Sequence, residues 1–215
     1  MGNGFYTAGG RFRKLIGVSL LLAAFQSAWA LDVMKGDFQQ VLNTRSEVLA
    51  VWQMADNPSV YIFDFPGLGF QGRSFNRITQ FTEQQTTEAY PKVLGNQELA
   101  RYIEAARRTS ADFAFGHDVL ISELVQFYNF ALRDKIELNP EEIAIREFLV
   151  EQGLIRLWRG FYQAMQPDVV VLAVPQTQDR KPGEPMVSAG ARYAILLHEL
   201  AHGEYYSNKH YAKFC

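Results

Sequence analysis

Tyr193-Ala194-Ile195-Leu196-Leu197 runs without charge, proline or glycine straight into His198-Glu199-Leu200-Ala201-His202. A run of this kind predicts a buried helix, rigid enough to hold polar side chains in fixed positions. The two imidazoles are four residues apart, one helical turn, so they leave the same face about 40° from one another. Two neutral imidazoles so placed can share one zinc ion. Glu199 follows His198 by about 100° and so flanks such an ion instead of binding it. There it is placed to take a proton from a water that the metal activates. The bland alternative is a solvated helix carrying two His and a Glu by accident. The chain has four histidines in all, His117, His198, His202 and His210.

The spacing is H-E-x-x-H. Ile195 to Gly203, with the strand and loop that precede them, resembles the zincin superfamily of zinc metallopeptidases. The resemblance implies His198 and His202 as zinc ligands and Glu199 as general base and proton shuttle. It also implies a peptide or protein substrate; the residues alone argue only for metal-activated water. The chain departs from the superfamily's extended pattern at Glu204, where an apolar residue is usual. The metzincin extension needs Gly at 205 and His at 208, but the chain has Tyr205 and Asn208.

A catalytic zinc takes three protein ligands plus water. After His202, Glu204 is the nearest acid and the first candidate for the third ligand. On a continuing helix it points roughly 200° away from His202, so it reaches the metal only if the helix stops near Gly203. His210 downstream and Glu123 upstream are the alternatives. A chain that continues beyond Cys215 to complete its site is a further possibility. Tyr205, Tyr206 and Tyr211 are open between stabilising an oxyanion and aromatic packing.

Arg11, Arg13 and Lys14 precede an apolar run, Leu15 to Phe25, too short to span a hydrocarbon core of about 30 Å. Ala28-Trp29-Ala30 closes it as an A-x-A site. This pattern predicts a secretory signal peptide over residues 1–30 and an exported mature chain, periplasmic or secreted, with no stable membrane span after cleavage. The remainder, 31–215, reads as a single domain. The net charge of −2 with mixed signs points to neither nucleic acid nor an anionic membrane surface. The one cysteine, Cys215, excludes an intramolecular disulfide framework.

The expected fold class is α+β, mostly helical with a small sheet and a zincin-like active-site helix. Helices are predicted over Phe38–Met54, Ser74–Glu88, Gln97–Arg108, Val119–Lys135 and Glu141–Met165, the last open to interruption at Gly153. Strands are predicted at Val60–Phe65 and Asp168–Pro175. Leu68–Gly72 reads as a glycine-rich turn and His117 as a loop or capping residue. Val169–Val174 is open between a substrate-pairing edge strand and a plain core strand. Glu123 falls on an apolar helix face, where it needs a hydrogen bond, a cation or a metal. The functional expectation is an exported zinc-dependent hydrolase. The alternative is a secreted binding or scaffold domain with a structural or degenerate metal site.

Overall fold

The computed structural model describes Met1, residues 31–85 and residues 91–213, the side chains of 84 and 85 excepted. Residues 2–30 of the expected leader and Cys215 lie outside the described residues. In chain order the elements are β1 (Val33–Gly36), α1 (Phe38–Leu42), β2 (Ala50–Met54), β3 (Val60–Phe65), α2 (Leu68–Gln85), α3 (Asn96–Ala105), β4 (His117–Leu120), α4 (Ile121–Arg133), α5 (Pro140–Glu151), β5 (Ile155–Trp158), β6 (Phe161–Ala164), β7 (Val170–Pro175) and α6 (Ala189–Ser207).

The class is α+β, with a mixed sheet larger than the sequence suggests. Five strands lie in the order β1-β2-β3-β7-β4. β1 runs parallel to β2, and β3 parallel to β7, while β2–β3 and β7–β4 are antiparallel. Every residue of β3 and β7 is buried, because helices cover both faces. Strand alternation sends Ile62, Val170, Leu172 and Val174 to the side of α6, where they meet Leu196. Phe63, Phe65, Val171 and Ala173 face the opposite side, into a core with Phe75, Phe127, Tyr128 and Phe148. Among the described residues no helix is long and apolar enough to cross a membrane.

Several boundaries differ from expectation for local reasons. The predicted helix over Phe38–Met54 ends at Leu42, and the chain returns as β2. Leu49 and Val51 enter one core while Trp52 and Met54 meet the other, the two-residue period of a strand. Leu68–Gly72 is the first turn and more of α2, not a loop. A Cβ on Gly72 would lie 2.1 Å from the Ser110 carbonyl oxygen, so that glycine serves close packing. The helix expected over Glu141–Met165 stops at Glu151, with Gly153 at φ 67°. Beyond it, Arg159 and Gly160 both have positive φ, the requirement of a two-residue hairpin turn joining β5 to β6.

His117 opens β4, so it is neither loop nor cap. It is buried and stacks on Phe75 with ring centres 5.6 Å apart. Its Nδ1 lies 2.5 Å from the Thr79 hydroxyl. Burial pushes its pKa down to about 3. A histidine neutral in the fold but titrating near 6.5 when unfolded stabilises fully above about pH 6.5. That stability is lost as pH falls toward 3. We expect His117→Gln to flatten this acid limb in urea titrations run at successive pH values; an unchanged slope would remove His117 as its source.

Candidate functional site

The buried residues of α6 are Arg192, Leu196, Glu199 and Gly203, spaced four, three and four apart along one stripe. This stripe lies on the sheet, and two devices seat it. Arg192 donates from Nη1 to Asp64 Oδ1 and to the Pro175 carbonyl, both at 2.7 Å. Its Nη2 donates to Asp64 Oδ2 at 3.0 Å and to the Val41 carbonyl, and its Nε to the Leu42 carbonyl at 3.0 Å. Toward the other end, a Cβ on Gly203 would sit 3.2 Å from Val60 Cγ2 and 3.3 Å from Leu172 Cδ1. Gly203 therefore lets the helix press onto β3 and β7 instead of ending it.

With the stripe fixed, the motif histidines emerge beside it. His198 is exposed and His202 half-buried. Their Nε2 atoms are 3.1 Å apart, with ring centres at 4.7 Å and planes at 78°. Two nitrogens at roughly 2.0–2.1 Å from a tetrahedral zinc are separated by about 3.3 Å. The pair thus has the bite of two such ligands. Together with Ala201, Tyr205, Tyr206 and Tyr211 the histidines line a hollow of about 390 Å³. The Tyr206 ring lies nearly parallel to that of His202, at 6.4 Å and 18°.

Glu199 turns inward to the start of the edge strand β4. A Cβ built on Gly116 would come 2.1 Å from Glu199 Oε1 and 2.6 Å from its carboxyl carbon. Only glycine admits the carboxyl there. Burial, and secondarily the charge of Asp118, pushes the Glu199 pKa up to about 8. The same Asp118 charge raises Glu123 and Tyr206, in each case behind desolvation. Glu199, Glu123, Tyr206 and Asp118 therefore share one electrostatic neighbourhood where β4 passes α6.

The candidate third ligands do not converge on the imidazoles. The helix runs on to Ser207, so Glu204 projects elsewhere: it accepts from Asn57 Nδ2 at 2.7 Å and Asn208 Nδ2 at 3.2 Å. This corrects the expected helix stop at Gly203, on which the candidacy of Glu204 as third ligand rested. His210 lines the same separate hollow as Glu204. Glu123 accepts from the Leu120 backbone N–H at 2.8 Å, which answers its need for a partner at the start of α4. Among the described residues no group of three or more His, Cys, Asp or Glu side chains is arranged to hold a metal ion. β7 is an interior strand between β3 and β4, so the edge strand nearest the motif is β4.

Gly116, Asp118 and Arg192 are the site residues that sequence reasoning does not single out. Arg192 carries a usable signal, because it lies seven residues before Glu199 and shares its stripe. Gly116 and Asp118 carry none, since their relation to α6 exists only after β4 joins the sheet. No protein-family model, curated protein or solved structure matches the chain. We expect Gly116→Ala to displace the Glu199 carboxyl and lower the thermal midpoint of the chain. A Gly116→Ala protein with the parental thermal midpoint would show that the close approach is dispensable.

Proposed function

We propose that the protein is an exported zinc-dependent hydrolase, acting as a peptidase, with the zincin arrangement of an active-site helix on a mixed sheet. The observation that carries this reading is the 3.1 Å convergence of His198 and His202 beside an inward-turned Glu199. His198 and His202 would hold the ion, and their donor atoms and separation fit it. A zinc ion in that position supplies Lewis acidity to a scissile carbonyl and to a water.

The chain's own residues do the rest. The seated stripe of α6 keeps both imidazoles oriented. Glu199 receives the proton of the attacking water at its carboxylate and passes it to the leaving amine. Its position under Gly116 limits the solvent that reaches it. The open edge of β4 offers backbone groups to an extended peptide. Tyr205, Tyr206 and Tyr211 border the space that such a substrate would enter.

Metal titration tests the proposal. The parent chain is expected to bind one zinc ion and to hydrolyse a member of a broad peptide panel, with chelator abolishing turnover and zinc restoring it. His198→Ala and His202→Ala are each expected to lose the ion. Zinc binding that survives both substitutions would sink the reading. The absence of a third converging ligand among the described residues favours one second reading, a binding or scaffold domain with a degenerate metal site. Stoichiometric zinc with no cleavage across the panel would decide for it.

A further inference from the structure

The β5–β6 hairpin carries exposed apolar surface that the candidate site does not use. Leu157, Trp158 and Phe161 are 57%, 51% and 59% exposed around its Arg159-Gly160 turn. Strand alternation places them on both faces. Ile155, Leu157, Tyr162 and Ala164 share the face toward the core, with Leu157 overhanging it. Arg156, Trp158, Phe161 and Gln163 share the other, with Trp158 directly opposite Phe161. A flat partner surface covers one face of such a tip; a soft medium surrounds both.

The tip is also cationic. The guanidinium carbons of Arg156 and Arg159 lie 5.5 Å and 5.6 Å from the centre of the Trp158 ring. Neither arginine joins an ion pair among the described residues. Residues 152–167 contain no Asp or Glu. An indole flanked by arginines is the composition of an interfacial anchor, rings at the headgroup level and guanidinium groups on phosphates. The whole-chain charge of −2 pointed away from an anionic membrane because a sum hides a local cluster.

We propose that the β5–β6 hairpin is a peripheral membrane anchor, inserting Leu157, Trp158 and Phe161 into the surface of an anionic bilayer while Arg156 and Arg159 meet lipid phosphates. The body of the protein holds the hairpin in place through α4. There Asn129 accepts from the Tyr162 backbone N–H at 2.7 Å and donates to the Tyr162 carbonyl at 2.9 Å.

The test reads the tip alone, whichever other segment touches lipid. An environment-sensitive dye is attached to Phe161→Cys in the full chain carrying Cys215→Ser. Leu157→Cys repeats the measurement from the other face, and Lys209→Cys, just beyond α6 on the other face of the sheet, is the control. Each labelled chain must keep the parental thermal transition. With vesicles of phosphatidylcholine and phosphatidylglycerol, dyes at 157 and 161 are expected to shift blue and be quenched by brominated lipid, and the dye at 209 to do neither. Arg156→Gln and Arg159→Gln are each expected to weaken partitioning about fivefold. A tip dye that stays aqueous with these vesicles overturns the proposal and leaves a protein pocket as the partner. Equal quenching at 209, or equal partitioning into phosphatidylcholine alone, overturns it as well.

Discussion

Arg192→Met is expected to lower the stability of the chain by about 3–5 kcal/mol, read as a shift of the urea midpoint at unchanged slope. The guanidinium is 1% exposed and Asp64 is fully buried. All five of its N–H donors are used, two on the Asp64 carboxylate and three on the Val41, Leu42 and Pro175 carbonyls. Methionine fills similar length but leaves Asp64 without its buried counter-charge and removes one donor from each of three carbonyls; Val41 keeps the Thr44 N–H and Leu42 the Arg45 guanidinium, while the Pro175 carbonyl loses the guanidinium bond. Asp64→Asn alone is expected to cost less, because the amide retains one acceptor and the carbonyl bonds survive. Pairing Arg192→Met with Asp64→Leu should recover part of the loss, since an apolar pair removes the stranded charge. Recovery stays incomplete because the guanidinium bonds to the Val41, Leu42 and Pro175 carbonyls are not replaced. A loss below about 1 kcal/mol for Arg192→Met would place this pair with surface ion pairs and refute its role in seating α6.

That seating explains what could and could not be seen in the sequence. The motif helix, β3, β7 and the helices α3, α4 and α5 are legible because each carries an uninterrupted local period. The long helix expected over Phe38–Met54 failed because apolar residues there fit two periods, and pairing of Val51 with Phe63 decided for strand. The hairpin was hidden because Leu154, Leu157, Trp158 and Phe161 also fit a helical face. The positive φ at Arg159 marks the turn, but arginine does not advertise it. At the site, the facing of His198 and His202 follows from their spacing. The fate of Glu204 does not: it depends on Asn57, which precedes it by 147 positions. Gly203 misled for the same reason, as its role is set by Val60 and Leu172 across the sheet.

On the proposed hydrolase reading, Glu199→Gln is expected to reduce kcat by about a hundred- to ten-thousand-fold, the range for removing a general base, with zinc content unchanged. Glutamine keeps the shape under Gly116 but cannot accept the proton. The pH profile separates this role from a packing role. Burial, and secondarily the charge of Asp118, raises the Glu199 pKa to about 8. A raised carboxyl pKa means that the folded protein holds a proton which the unfolded chain, near 4.3, releases first. The stability from that proton is full below about pH 4.3 and is lost as pH rises through 8. In chelator, the parent should therefore become less stable from about pH 5 to 8, and Glu199→Gln should lack this slope. A dication held by His198 and His202 favours the carboxylate, so zinc should move the transition to lower pH. Turnover should then rise with the deprotonation of Glu199 and have its acid limb below pH 8. If Glu199→Gln retains both parental kcat and the acid limb, proton transfer belongs to another group, and Asp118, whose charge already reaches Glu199, becomes the residue to replace.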